Sequence, residues 1–277
     1  MPRLTRTFAL LTAAALAALT VGCAEAPTGP PDPGPSASVS ASPGPTLPPV
    51  GADCMTQARQ GLPLRLVNGA GHSIAAVDLG SGPIGVVLAH QSDGSLCEWL
   101  PYGQVLADRG YRVLAFDFAG SGSSTNPKQK TYVEDIRTAV VYLREQGVQR
   151  IVIIGASMGA TMSVVAAAAI TPPVDGVVAI SPPLTFDGVN AEKAAPSLRS
   201  PALYIAGETD GDFATYADAI ANATPADLRQ LLVVHSSQHG LRLLDSELQS
   251  TLEVRNAIET FLDLRAPLHP QPTASTD

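Results

Sequence analysis

Ile151-Val152-Ile153-Ile154-Gly155-Ala156-Ser157-Met158-Gly159 is the stretch that decides how this chain reads. Four β-branched apolar residues make a short buried strand, and the small residues at 160–169 are long enough for a helix. Between them a serine sits two residues from a glycine on either side. A strand that turns sharply into a helix crowds its neighbours, so only small residues fit around the turn. The turn lifts the serine hydroxyl above the sheet, beside the first free N–H groups of the helix. Those N–H groups can stabilise developing negative charge.

Outward from the turn, short apolar runs alternate with helical stretches. Runs at 84–89, 113–116, 151–154, 177–180, 202–205 and 231–234 lack polar alternation, so both faces of each strand must be covered. Helices are expected at 96–109, 132–146, 158–170, 212–222 and 246–264. Segments 64–67 and 73–79 are expected to form an opening antiparallel pair across Asn68-Gly69-Ala70-Gly71. Strand–helix alternation of this kind makes an α/β fold with right-handed crossovers. Chemistry in such sheets gathers at the carboxyl ends of the strands, where Ser157 falls.

The 277 residues are 45% hydrophobic and 15% charged, ample for one large core, and few aromatics (5%) mean that Ala, Val, Leu and Ile build it. Seventeen basic against 25 acidic residues give a net charge of -8. Without Arg3 and Arg6 the balance is 15 against 25, or -10. An acidic body without a Lys/Arg block excludes nucleic acid as the expected partner.

Residues 1–22 read as an export signal. Arg3 and Arg6 precede fourteen residues, 8–21, dominated by Ala, Leu and Thr, too short to span a bilayer as a helix. The segment ends in Leu19-Thr20-Val21-Gly22-Cys23, which resembles a bacterial lipobox. That resemblance implies lipidation of Cys23 and an anchor on the extracytoplasmic side of the cell membrane. Residues 23–53, rich in Pro, Gly and Ser, have no hydrophobic periodicity and are expected to form a disordered stalk. The folded domain is expected over 54–266, with a loose tail at 267–277. Cys54 and Cys97 remain in an oxidising compartment, where a disulfide between them is permitted.

A serine hydroxyl near neutrality needs a base within hydrogen-bond reach and an acid behind that base. His269 lies in the tail and His72 in the opening turn. His235 ends an apolar run and reads as a satisfied core or edge histidine. His90 ends the 84–89 run, early in the chain. His239, in the polar turn Ser236-Ser237-Gln238-His239-Gly240 between the last strand and the last helix, is the favoured base. After the 202–205 run comes Gly207-Glu208-Thr209-Asp210-Gly211-Asp212. Asp210 is the favoured acid, Asp212 suits a helix cap, and Glu208 comes too soon after the strand.

The order Ser157, Asp210, His239 resembles that of the α/β-hydrolases, over roughly 64–264. The elbow, Asp210 in its turn, His239-Gly240 and the turn Asp117-Phe118-Ala119-Gly120-Ser121-Gly122-Ser123-Ser124 carry the likeness. It implies a mostly parallel eight-stranded sheet with helices on both faces. It also implies an oxyanion hole made by the N–H of Met158 and one from Ser92 or Gln91. Relatives carry His-Gly where this chain has His90-Gln91. Ser92 is favoured by alignment, and His90 becomes a structural histidine holding the loop. The serines of the 117–124 turn read as structural, and Trp99 as packing on the sheet edge rather than lining the entrance.

Only residues 181–200 separate the 177–180 strand from the next, enough for a short flap and a minimal lid. A shallow site for small or protruding ester substrates is therefore expected, the substrate being a small molecule. No metal or organic cofactor is implied, because no Cys/His/carboxylate cluster has ligand spacing. Three readings share these motifs: a serine esterase, a peptidase or acyltransferase, and a non-catalytic binding lipoprotein on a hydrolase fold.

Overall fold

In the computed structural model the chain divides into two units, Met1–Gly44 and Pro45–Asp277. The structure describes residues 47–52, 54–57, 61–244 and 249–268, all in the second unit. The export signal, Cys23, most of the stalk and His269 lie outside the described residues. Among the described residues no helix is long and apolar enough to cross a membrane.

Eight strands make one sheet: β1 (Leu62–Val67), β2 (Ser73–Leu79), β3 (Ile84–Ala89), β4 (Arg112–Phe116), β5 (Arg150–Ala156), β6 (Gly176–Ile180), β9 (Ala202–Gly207) and β10 (Arg229–Val234). The remaining two, β7 (Thr185–Phe186) and β8 (Val189–Asn190), form a separate small hairpin. The sheet order is β1-β2-β4-β3-β5-β6-β9-β10. β1 pairs with β2, and β2 with β4, antiparallel; every other pairing in the sheet is parallel. Every residue of β3, β6 and β9 is buried, which is why these segments read as unbroken apolar runs.

Two apolar layers cover the sheet. On one face pack α2 (Tyr132–Glu145), α3 (Met158–Ala169) and α5 (Phe213–Ala223), with the short α4 (Ala191–Ala194). On the other pack α1 (Leu100–Asp108) and α6 (Gln249–Arg265). The expected helix at 96–109 is broken: a 3₁₀ turn at Leu96–Trp99 precedes α1. Pro101, which has no N–H to donate, stands in the first turn of α1, and the pitch changes just before it.

The topology places the site. From β3 the chain leaves toward β4 through α1 on one face. From its neighbour β5 it leaves toward β6 through α3 on the other face. The carboxyl ends of β3 and β5, with Ala89 in register with Gly155, therefore form the switch point where α/β sheets bind ligands. Between β6 and β9 stand only the hairpin, α4 and one 3₁₀ turn, so the lid is minimal, as expected.

Cys54 and Cys97 are joined by a disulfide with Cα atoms 5.5 Å apart. Just before Cys54, the Pro49 carbonyl accepts a 2.8 Å hydrogen bond from Ser123 Oγ, and the Pro48 carbonyl accepts one from Arg65. Pro48, Pro49 and Cys54 are thus tied to the sheet's opening edge, the turn after β4 and the segment after β3.

Candidate active site

Ser157 occupies the turn between β5 and α3 with φ +48° and ψ -116°, a backbone conformation that only a crowded, well-held turn maintains. Its N–H donates to the Ile180 carbonyl at 2.8 Å, which locks the turn to β6. Gly159 shows why the turn needs small residues: a Cβ there would stand 2.5 Å from the His90 carbonyl oxygen and closer still to that of Ala89. The turn is therefore pressed against the end of β3, where the expected oxyanion loop begins.

His239 lies in the loop after β10, and Asp210 in the loop after β9. The structure brings both to Ser157. The Ser157 hydroxyl stands 2.8 Å from His239 Nε2, and His239 Nδ1 stands 2.8 Å from Asp210 Oδ2. A carboxylate accepts, so Nδ1 carries the proton and Nε2 offers its lone pair to the serine. Asp210 and Ser157 are buried and the imidazole is about one-third exposed, which leaves an approach from solvent at the serine. Phe213, at the start of α5, packs its ring 4.2 Å from the imidazole centroid.

Ser181 was not singled out by the sequence pattern. It follows β6 with φ +49°, is fully buried, and donates from Oγ to Asp210 Oδ2 at 3.0 Å. The same oxygen accepts the Gly240 N–H at 3.1 Å. Ser181 thus orients the acid and pins the backbone beside the histidine. The only sequence signal was its place at the carboxyl end of an apolar strand.

At the expected oxyanion position, Met158 is the first residue of α3. Among the described residues the N–H groups of Met158, Gln91 and Ser92 find no acceptor, so all three are free to donate to a ligand. His90 holds their loop. Its Nε2 accepts the Phe118 N–H at 3.1 Å, which leaves the ring proton on Nδ1, 2.7 Å from the Gln91 carbonyl. The ring also meets Phe118 edge-on at 4.9 Å.

Burial holds the His90 imidazole neutral, its pKa pushed down from 6.5 to about 4 despite its hydrogen bond to Gln91. Because the folded value lies below the unfolded one, the stabilisation from His90 is complete above pH 6.5 and is lost as pH falls toward 4. The difference corresponds to about 3 kcal/mol at most. Asp117 and Asp135, whose carboxyls burial pushes up, act in the opposite direction. Urea unfolding of native protein and of His90→Asn at pH 7 and pH 4.5 separates these contributions. The variant is expected to lose less stability between the two pH values, and equal losses would refute the assignment.

The remaining candidates take other roles. His235 follows the edge strand β10 with its ring in solvent, Nδ1 lying 2.7 Å from Glu208 Oε2. Asp212 is the N-cap residue of α5, yet its carboxylate makes no cap hydrogen bond and accepts from Tyr216 at 3.3 Å. Trp99 is wholly buried in the α1 face of the core. The serines of the turn after β4 carry its hydrogen bonds. Ser123 N–H donates to Asp117 at 2.8 Å, and Ser124 Oγ donates to the Asp117 carbonyl at 2.7 Å. Among the described residues no group of three His, Cys, Asp or Glu could hold a metal ion.

Residues 86–246 match a family model described as the alpha/beta hydrolase fold. Similar solved structures include an esterase of Pyrococcus furiosus at 18% identity, with a TM-score of 0.63, covering 74% of this chain and 93% of that one. An esterase of a Rhodococcus species is 17% identical, with a TM-score of 0.61, over 74% of this chain and 99% of that one. A thermophilic esterase of Thermogutta terrifontis is 16% identical at a TM-score of 0.61, over 76% of this chain and 100% of that one. At these identities the likeness is one of fold.

Proposed function

Because this chain belongs to the alpha/beta hydrolase fold family, we propose that it is a serine hydrolase that cleaves small carboxylic esters through an acyl-enzyme on Ser157. The observation that carries the reading is the unbroken line from Ser157 Oγ through the His239 imidazole to Asp210, each step 2.8 Å.

In the first half-reaction Ser157 Oγ attacks the ester carbonyl while His239 Nε2 takes its proton. The carbonyl oxygen becomes an oxyanion, held by the N–H of Met158 and by that of Ser92 or Gln91. Asp210 stabilises the imidazolium that forms. As the tetrahedral adduct collapses, the alcohol leaves with the proton from Nε2, and the acyl group stays on Ser157. A water molecule repeats the sequence, so the products are one alcohol and one carboxylic acid. No step calls for a cofactor.

The small flap supports short or protruding acyl groups over engulfed ones. The leader and Cys23 support an exported lipoprotein whose domain is held off the membrane by the Pro-rich stalk. A Cys54–Cys97 disulfide fits that oxidising compartment.

A fluorophosphonate probe is expected to label the domain on the peptide that contains Ser157. On a p-nitrophenyl ester series, acetate to butyrate is expected to turn over at least about 10-fold faster than decanoate or longer, as a shallow site gains little from extra methylenes. Absence of labelling would sink the hydrolase reading. Turnover of long but not short esters would sink the reading of a small substrate.

A further inference from the structure

Gln91 stands where the histidine loop and the oxyanion loop meet. Its carbonyl accepts from His90 Nδ1 at 2.7 Å and from the Gly94 N–H at 3.2 Å, which shapes its own loop. Its side chain reaches the other loop: Oε1 accepts the Leu241 N–H at 3.3 Å, two residues past His239. The Glu98 carboxylate lies near enough that the carboxamide offsets part of the upward push that burial gives its pKa. With its oxygen engaged by the Leu241 N–H, the carboxamide is left with its NH₂ group for the carboxylate nearby.

Gly240 completes the contact. Its φ is +55°, and a Cβ at that position would collide with Gln91 Oε1. The backbone between His239 and Leu241 is therefore held on one side by Ser181, from the end of β6, and on the other by Gln91, from the end of β3. Gln91, Glu98 and Leu241 also border a cleft of about 560 Å³, and Gln91 is only half-buried. Hydrogen bonds rather than close packing fix the carboxamide.

We propose that the Gln91 carboxamide is a positioning residue that keys the His239 loop to the oxyanion loop, so that the imidazole and the oxyanion donors keep one register. This rests on the serine hydrolase reading. The amide oxygen holds the backbone that follows the histidine. Without the link, the imidazole and the oxyanion donors shift relative to each other although each loop keeps its own bonds.

Three variants test this, with kcat and KM measured on a short p-nitrophenyl ester and the melting temperature of each recorded. Gln91→Leu keeps the backbone N–H and the size of the side chain but loses the hydrogen bond to Leu241. It is expected to lower kcat by about 10- to 100-fold, the loss a displacement of about 1 Å produces, with KM within about 3-fold. Gln91→Glu can still accept from Leu241 but sets a carboxylate against that of Glu98. Its kcat is expected to approach the native value near pH 5, where the two carboxyls share a proton, and to fall as pH rises. Adding Glu98→Gln to Gln91→Glu restores an acceptor–donor pair. The double variant Q91E/E98Q is therefore expected to regain kcat within about 3-fold of native and to lose the added pH dependence.

The inference is overturned if Gln91→Leu keeps kcat within about 2-fold, if Gln91→Glu shows the native pH profile, or if the double variant gains nothing over Gln91→Glu. Should Gln91→Leu fail to fold, the profiles of the other two decide. Failure of the underlying reading looks different: the native protein then neither labels with fluorophosphonate nor hydrolyses the ester.

Discussion

Ser157→Ala is expected to lower kcat for ester hydrolysis by about a million-fold, to the level left by binding and the oxyanion donors alone. Two nearby hydroxyls are engaged elsewhere. Ser181 Oγ donates to Asp210, and Ser163 Oγ donates to the Gly159 carbonyl at 2.6 Å inside α3. The fold should not register the change. The N–H of residue 157 keeps its bond to Ile180, and alanine carries the same Cβ through the same φ of +48°. Among the described residues the one side-chain partner lost is His239 Nε2, whose imidazole is partly open to water that can replace the serine. The melting temperature is therefore expected to move by less than about 2 °C. A kcat within 10-fold of native, measured on protein freed of contaminating esterase, would remove Ser157 from the reaction.

How much of the fold and the site was legible in the sequence follows from the physics of each element. The strands were legible because parallel strands covered on both faces leave unbroken apolar runs, and the runs at 84–89 and 177–180 lie within β3 and β6. The elbow was legible because steric crowding confines the residues around Ser157 to small ones. Local pattern favoured Asp210, since Asp212 suits the cap of the helix that follows and Glu208 comes too soon after the strand. The chain order of a known fold family suits all three acids alike, and the observed distance brings Asp210 to His239.

Other parts were hidden for a common reason: they exist only where segments distant in sequence meet. Ser181 is an ordinary strand-end serine until β6 lies beside β9 and its hydroxyl falls between Asp210 and Gly240. Gln91 looked like a departure from a glycine, judged only by its N–H. Its side chain matters because Leu241 is 150 residues away in sequence and one hydrogen bond away in space. Phe213 could be read as the first residue of a helix, but not as the ring against which the imidazole rests. The two-residue strands β7 and β8 carry too little periodicity for any pattern to mark.

Asp210→Asn is the second change expected to have a very large effect, about 10⁴-fold in kcat with the fold kept. The argument turns on the single oxygen Oδ2, which accepts from both His239 Nδ1 and Ser181 Oγ. An asparagine can present either atom there. With its oxygen inward both hydrogen bonds survive and the imidazole keeps its tautomer, but the negative charge that stabilises the imidazolium is gone. With its nitrogen inward the amide donates to Nδ1, the ring proton moves to Nε2, and the base no longer faces Ser157. Ser181 biases the choice, because its hydroxyl proton points at that position while one of its two lone pairs is engaged by the Gly240 N–H. Ser181→Ala removes the bias. On its own it should cost kcat about 10-fold, the loss of one neutral hydrogen bond to the carboxylate. Combined with Asp210→Asn it should cost more than the product of the two, since nothing then prevents the amide from turning over. Multiplicative losses in the double variant would mean that Ser181 only fills space beside the acid, and an Asp210→Asn protein within 10-fold of native would show that the carboxylate takes no part in the reaction.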